Sequence, residues 1–437
     1  MGKRIVAGID IGTTKITTII ASVPEEGLAN VLGVATVNSR GVRKGQIVDI
    51  EEATEVIVES LEAAERMAGY SISSAFLSVG GAQVMSQNSH GVVAVAEPQK
   101  EITINDIKRA IDAARAINLP STREILHVLP REFIVDSQEG IKDPVGMTGV
   151  RLEVNTHIIT VGGTALRNLE KCASLVGLDV DGFTFTGLAS ANAVLTETER
   201  ELGVVLVDIG GGTTDICIYI DGSLSYSSVL PVGARNITND LAIGLRISLE
   251  SAEKIKLLLN KKESESIIIQ EKSIANEKKG KGGQETRDEI DLTNLHLPEG
   301  LSKVSKKTIT EGIIKPRLNE IFSMAGLEIK KSGFGGLTPA GIVVTGGGAQ
   351  TKGITEAAKR SLAMQVRVGI PTNISGLIDE ITTSSFATSV GLILYAAGSA
   401  AITKERFSFG RLTRAVGKFP IKGAASKVVD LIKSFLP

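Results

Sequence analysis

Leu206-Val-Asp208-Ile-Gly210-Gly211-Gly212-Thr213-Thr214-Asp215 decides the fold, because the chain carries a second version of it, Val6-Ala-Gly-Ile-Asp10-Ile-Gly12-Thr13-Thr14-Lys15. Each copy is an apolar, β-branched strand, an Asp, a glycine turn, two Thr and the start of another strand. Glycine at a hairpin tip lets backbone N–H groups approach phosphate oxygens with no Cβ in the way. Gly12, Gly210, Gly211 and Gly212 are placed for that, and Thr13, Thr14, Thr213 and Thr214 add hydroxyl donors. Asp10 and Asp208, at strand ends, suit a Mg²⁺ held through its waters. Lys15 supplies a compact positive charge for terminal phosphates. One glycine hairpin is usually only a tight turn. Two copies, at residues 6–15 and 206–215, are explained most simply by duplicated halves facing a nucleotide across a cleft.

Outward from the first copy, residues 3–10, 15–23 and 31–37 predict a three-strand meander. Asp49 then predicts an N-cap for a helix over 51–68, in which Ala53, Val56, Ile57, Leu61 and Ala64 recur at helical spacing. Residues 83–165 read as an inserted α+β unit, with a strand at 91–96 and a helix opened by Asn105 over 106–117. Strands at 124–129, 131–136 and 151–161 complete it. A helix at 165–176, a strand at 182–186 and a helix at 190–199 lead to the second copy. Beyond it come strands at 204–208, 215–220 and 224–232, and helices at 236–243 and 249–259. The stretch 261–289 is rich in Lys, Glu, Ser and Gly, with KKGKGG in its middle, and is expected to be a surface loop. A helix over 310–330, a strand at 341–345, a helix at 354–362 and the run 387–397 close this half.

Two further motifs fall in a telling order. Val343-Val344-Thr345-Gly346-Gly347-Gly348 follows a strand and precedes a helix, so its backbone can pass flat under an adenine or ribose. Ser251-Ala-Glu253-Lys254-Ile-Lys256 sets Glu253 and Lys256 three apart on one helix face, directed at ribose hydroxyls and adenine. The succession of phosphate hairpin, linking helix, phosphate hairpin, E-x-x-K helix and glycine-rich adenosine turn resembles the superfamily of actin, sugar kinases and DnaK-type chaperones. Within it GIDIGTTK, LVDIGGGTTD, LPVGARNITNDLAIGLR with SAEKIK, and VVTGGGA are similar to the FtsA family of bacterial cell-division proteins, over residues 3–398.

That resemblance implies an α/β fold of actin-like, ribonuclease-H-type halves around a nucleotide cleft. Subdomain 1A would cover 1–82 and 166–200, the inserted subdomain 1C 83–165, subdomain 2A 201–240 and 331–398, and subdomain 2B 241–330. It implies ATP and Mg²⁺ as cofactors, at most a slow ATPase activity, and self-assembly into filaments. FtsZ is the implied partner, its C-terminal peptide meeting subdomain 2B, with Arg317 the candidate contact for an acidic peptide. One departure stands out. FtsA-like chains carry E-P-L-A-S in the linking helix, where this one has Thr186-Gly-Leu-Ala-Ser190. The alternative reading of function is PilM, the actin-like cytoplasmic protein of the type IV pilus machinery, which shares a similar insertion. A sugar kinase needs a general-base Asp in a sugar-binding context, which neither hairpin offers. A DnaK-type chaperone needs a substrate domain after residue 400.

Composition excludes other classes. The 437 residues are 42% hydrophobic and 22% charged with net charge −1, which argues for ordinary globular cores and against nucleic-acid binding. Cys172 and Cys217 read as reduced core residues, and four scattered His give no zinc-ligand spacing. No signal peptide and no membrane span is expected. Residues 399–437 differ: eight Lys and Arg against Glu405 and Asp430 make them net +6, leaving −7 on the rest. After an expected linker at 399–423, the segment 424–437 places Val428, Leu431, Ile432, Phe435 and Leu436 on one helical face. Lys427, Asp430 and Lys433 lie on the other. A basic amphipathic helix of this kind suits an anionic membrane surface, and the resemblance puts it at the cytoplasmic face of the membrane at the division site.

Overall fold

The computed structural model describes residues 4–24, 27–96, 101–260 and 288–408, with side chains up to residue 398 other than Ile378. The first half opens with strands β1 (Arg4–Ile11), β2 (Lys15–Val23) and β3 (Ala29–Asn38), an antiparallel meander. Helix α1 (Ile50–Ala68) packs on it through Ala53, Val56, Ile57, Leu61 and Ala64, and Asp49 caps its N-terminus by accepting from Glu52 N–H at 3.1 Å. The chain then enters β4 (Ser74–Val79), parallel to β1. This strand has no expectation above; a six-residue apolar run does not by its periodicity distinguish strand from helix.

The insertion consists of β5 (Met85–Ala94), α2 (Ile104–Arg115), β6 (Arg123–Val135), β7 (Gln138–Ile141) and β8 (Arg151–Gly162). Its sheet is antiparallel in the order β5-β8-β6-β7, over a separate core of Ile102, Ala110, Ala114, Phe133, Leu152 and Val154. Two expectations shift. The cap of α2 is Thr103, in a reciprocal capping box with Asp106, rather than Asn105. The two strands expected at 124–136 are one, because Pro130 sits at a bulge where the pairing skips a residue and the missing N–H is tolerated.

The chain returns through α3 (Gly163–Leu175) to β9 (Asp179–Phe185), parallel to β4. The helix expected at 190–199 is two. Helix α4 (Thr186–Val194) begins four residues earlier, and Thr196 with Glu199 forms a second capping box that starts α5 (Glu197–Leu202) afresh. The second half repeats the first with β10 (Val204–Ile209), β11 (Thr214–Ile220) and β12 (Ser223–Leu230) as its meander. Helices α6 (Ala234–Leu245), α7 (249–260) and α8 (Lys315–Ser332) follow. A wider, π-helical stretch, Thr308–Ile314, precedes α8: Pro316 lacks the N–H for a regular turn and its ring crowds the preceding carbonyls. Strand β13 (Ile342–Thr345), helix α9 (Ile354–Leu362), strands β14 (Val366–Val368) and β15 (Ile374–Gly376), and helix α10 (Ala387–Ser408) complete the order. The backbone of α10 is helical ten residues into the stretch expected as a linker.

The sheets run β9-β4-β1-β2-β3-β15 and β12-β11-β10-β13-β14. Each is an antiparallel meander whose first strand is flanked by two further parallel strands, so one topology occurs twice. β1 from Val6 onward and all of β10 are buried, which is why both read as unbroken apolar runs. The insertion covers the outer edge of β12. Ser86 donates to Ser227 O (2.6 Å), Asn88 to Ser225 O (3.2 Å), and Arg131 Nε to Ser225 Oγ (3.0 Å), while Ser223 Oγ donates to Arg131 O (2.9 Å). Ser223, Ser225 and Ser227 share a face by period two, so a serine ladder replaces the missing strand partner. The described residues up to Ala396 form one compact unit, and those from Ala397 onward fall outside it.

Candidate functional site

Gly12 N–H donates to Lys15 O (3.0 Å) and Gly210 N–H to Thr213 O (2.9 Å), so both hairpins close in the same four-residue turn. This registers the copies differently from a reading that matches Thr-Thr with Thr-Thr. Lys15 is level with Thr213, and Thr13-Thr14 lie at the tip where the second hairpin has Gly211-Gly212. The tips abut: a Cβ on Gly211 would lie 2.4 Å from Thr14 Cγ2, and one on Gly212 2.8 Å from Thr13 Oγ1. Thr214 therefore belongs to β11, where its hydroxyl donates to Val232 O (2.8 Å) away from the cleft, and is not the phosphate donor expected.

Between the hairpins lies a cleft. Asp10, Gly12, Thr13, Thr14, Lys15, Asp208, Gly210, Gly211, Thr213, Gly346 and Gly347 line it, joined by Thr186, Asp215, Ser385 and Thr388. Gly346 has φ +84° and an added Cβ would lie 2.2 Å from Asp208 Oδ1, so the third glycine turn runs hard against the acid. Gly212 and Gly348 pack against Thr13 and Ile209 instead of lining the wall. Glu253 and Lys256 are not part of the lining either. Lys256 is buried, donating to Thr238 Oγ1 (2.8 Å) and Glu253 Oε2 (2.7 Å), and Glu253 also accepts from Thr238. Their spacing makes a closed triangle with the NITND segment. Arg317 is spent in the same way: Nε and Nη2 grip Asp240 (2.5 and 2.8 Å), and Nη1 reaches Glu320 (2.6 Å). Such a bidentate pair engages the guanidinium within the protein, so an acidic peptide at Arg317 would have to displace Asp240. Val428, Leu431, Ile432, Phe435 and Leu436, like residues 261–287, lie outside the described residues.

Asp10 accepts from Ser78 Oγ (2.9 Å) and Ser389 Oγ (3.3 Å); Asp208 accepts from Ser190 Oγ and, at 3.4 Å, from Thr388 Oγ1; Asp215 Oδ2 accepts from Thr186 Oγ1. Burial raises all three carboxyls. Asp208 is pushed up to about 6 by burial and the Asp10 charge, against its two hydroxyl donors. Asp215 is pushed up to about 8 by burial and then Asp208. Burial lowers Lys15, and the charges of Asp10 and Asp208 oppose that. Its ammonium stands 4.0 Å over the Phe386 ring. Helices α4 and α10 both begin at the cleft, at Thr186 and beside Ser385, so their positive ends face it.

The arrangement fits a cation-bound polyphosphate. Crowded carboxyls that resist ionisation in the bare protein are relieved by a divalent cation, and two N–H-lined hairpins, Lys15 and two helix ends suit phosphate oxygens. Among the described residues no trio of His, Cys, Asp or Glu is placed to ligate a metal directly, so Asp10 and Asp208 would hold Mg²⁺ through its waters. A pH dependence follows. Asp208 and Asp215 are harder to ionise folded than at their unfolded value of 3.8. The stability of the protonated pair is therefore complete below that value and lost as pH rises through about 6 and about 8. Without nucleotide or Mg²⁺, the melting temperature is expected to fall from about pH 5 to about pH 9, and Asp208→Asn/Asp215→Asn to flatten that decline. An equal slope in the double variant would refute the assignment.

Two family models match the chain: the SHS2 domain inserted in FtsA over residues 81–160, and the cell division protein FtsA over residues 205–391. The cell division protein FtsA of Pseudomonas aeruginosa is 39% identical over 394 residues, covering 90% of this chain and 89% of that protein. The chain belongs to the FtsA family of cell division proteins. Solved structures similar to it include a PilM–PilN type IV pilus biogenesis complex, with TM-score 0.62 and 13% identity over 90% of this chain and 98% of that one. MreB5 of Spiroplasma citri bound to AMPPNP has TM-score 0.51 and 14% identity over 93% and 99%. At such identities these two show the fold alone, the actin-like one. The family model places the FtsA-type insertion where β5–β8 stand, and FtsA membership displaces the PilM reading of function.

Sequence reasoning missed Asp215 as a wall of the cleft, and with it Ser78, Thr186, Ser190, Ser385, Thr388 and Ser389. Asp215 lay in the quoted motif and was detectable from strand register. The hydroxyls arrive from distant segments and carry no local signal.

Proposed function

We propose that this FtsA-family chain binds Mg·ATP between its halves, assembles with copies of itself, and anchors FtsZ filaments to the cytoplasmic face of the membrane at the division site. The observation that carries the nucleotide part is the pair of abutting glycine hairpins with Lys15, Asp10 and Asp208 on one cleft. Structural likeness to an AMPPNP-bound MreB5 supports it. Hydrolysis is slow, because the linking helix has Thr186 where the family motif has Glu. The membrane part rests on the amphipathic pattern of 424–437. So short a helix is marginal alone in water but gains an apolar surface to lie on in a bilayer.

The test is co-sedimentation with anionic liposomes, with and without Mg·ATP, of the full chain, a chain ending at Ser408 where the described helix ends, and Phe435→Glu. The full chain is expected to pellet and, with Mg·ATP, to form ordered filaments on the vesicles. The other two should stay in the supernatant while binding nucleotide normally. Equal pelleting of Phe435→Glu would remove the membrane assignment, and vesicle binding without nucleotide-dependent filaments would remove the polymer.

A further inference from the structure

Lys15 stands among acids and pairs with none of them. The charges of Asp10 and Asp208 bear on it, yet among the described residues it makes no ion pair. Its ammonium stands instead 4.0 Å from the centre of the Phe386 ring. The acids are occupied elsewhere. Asp10 accepts from Ser78 on one oxygen and Ser389 on the other, and Asp208 Oδ2 accepts from Ser190 and Thr388. Hydroxyls thus meet the carboxyls' demand for donors, and an aromatic face meets the ammonium's demand for electrons.

The ring is held firmly where it is. Phe386 closes the short turn Ser384–Phe386 just before α10, its N–H donating to Thr383 O (3.0 Å). Gly346 N–H, in the third glycine turn, donates to Ser384 O (3.1 Å) and ties that segment to the end of β13. The ring itself is half-buried against the larger apolar core. Lys15 opens β2 of the first half, so a ring anchored from the second half carries the phosphate lysine of the first. Left to itself, an ammonium on a flexible stem falls onto the nearest carboxylate. It would then have to break that pair to meet a phosphate, and it would occupy oxygens that a hydrated Mg²⁺ needs. A ring attracts a cation through its quadrupole alone, so no carboxylate oxygen is consumed and the N–H donors of the ammonium stay unspent.

We propose that Phe386 is a positioning residue for nucleotide binding: its ring holds Lys15 off Asp10 and Asp208 and keeps the ammonium ready for the terminal phosphates. This rests on the ATP reading above. The charges of the cleft are thereby sorted before the ligand arrives, with the acids left to the cation and Lys15 left to the phosphates. Phe386 acts through Lys15, so its effect on affinity exists only while Lys15 is there.

The experiment replaces Phe386 in the full chain by fluorinated phenylalanines, which keep the shape of the ring but drain negative charge from its face, and titrates each protein with Mg·ATP. The trifluorinated ring is expected to weaken binding by about tenfold, with the singly and doubly fluorinated rings in between. Phe386→Leu should lose at least as much, and Phe386→Tyr should stay within about twofold of the native chain. In a Lys15→Met background the trifluorinated ring should change nothing, because no cation is left over it. Affinities within about twofold of native across the fluorinated series would overturn the proposal. So would an equal loss with and without Lys15, which is what a ring that merely shapes the cleft gives. Tighter binding would overturn it as well, since the ring would then be drawing Lys15 away from the phosphates. The fluorinated rings are nearly isosteric and decide the matter if Phe386→Leu does not fold. A native chain that binds Mg·ATP with an affinity indifferent to fluorination removes this inference and leaves the ATP reading intact. A native chain that does not bind it removes both.

Discussion

Asp208→Ala is expected to weaken Mg·ATP binding by about 10- to 100-fold, the cost typical of losing a group that orients a metal's own ligands. The sign of the effect without magnesium is the sharper prediction. Asp208 is fully buried beside Asp10, and both resist ionisation in the bare protein. Removing one carboxyl takes a negative charge away from a site that must accept phosphates, so Mg-free ATP should bind at least as well as in the native chain. Only a cation-mediated role makes the variant worse with Mg²⁺ and no worse without it. Asp208→Asn separates charge from hydrogen bonding, since the amide oxygen still accepts from Ser190 and Thr388. It should reproduce the loss of magnesium dependence with less disturbance of the fold. Isothermal titration with ATP at several Mg²⁺ concentrations reads all of this; equal losses with and without Mg²⁺ would mean that Asp208 only shapes the cleft.

The strands that build this cleft were legible because both central ones are buried on two faces and write themselves as apolar runs ending in Asp and Gly. The third glycine turn was legible for a similar reason: Gly346 needs a positive φ against Asp208. What failed is register and long-range partnership. Matching Thr13-Thr14 with Thr213-Thr214 is natural in one dimension, but hydrogen bonding places the first pair in a turn and leaves Thr214 in a strand. Side-chain alternation then turns Thr214 from the ligand and Asp215 toward it. Glu253, Lys256 and Arg317 have partners within the protein, and in sequence a charge on a helix face looks the same whether it awaits a ligand or is already paired. Only the folded positions of Thr238 and Asp240 distinguish the cases.

The hydroxyls beneath the acids lead to the second large effect, which begins at a residue with no chemistry of its own. Gly391 sits in α10 where it crosses α4, and a Cβ there would lie 1.8 Å from Ala189 O and 2.3 Å from its carbonyl carbon. That is backbone, not the end of a flexible side chain, so the helices must separate. Gly391→Ala is therefore expected to destabilise the protein by about 3 kcal/mol or more, at or beyond the top of the usual overpacking range, despite alanine's better helix propensity. Gly326→Ala in α8 is the matched control. Its Cβ meets only Leu362 Cδ2 at 2.9 Å, which can swing aside, so its melting temperature should change little. The damage at Gly391 should also reach function. Ala189 immediately precedes Ser190, and Gly391 is one helical turn after Thr388. These two hydroxyls lie 2.9 Å apart and both donate to Asp208. Prising the helices apart at 189 and 391 pulls the support from under that carboxyl, so nucleotide affinity should fall well below the folding transition. If Gly391→Ala melts early yet binds Mg·ATP with native affinity when folded, the crossing is a structural joint alone. If both fall together, the small residue at the crossing sets the cleft, because the helices that pass there are also its floor.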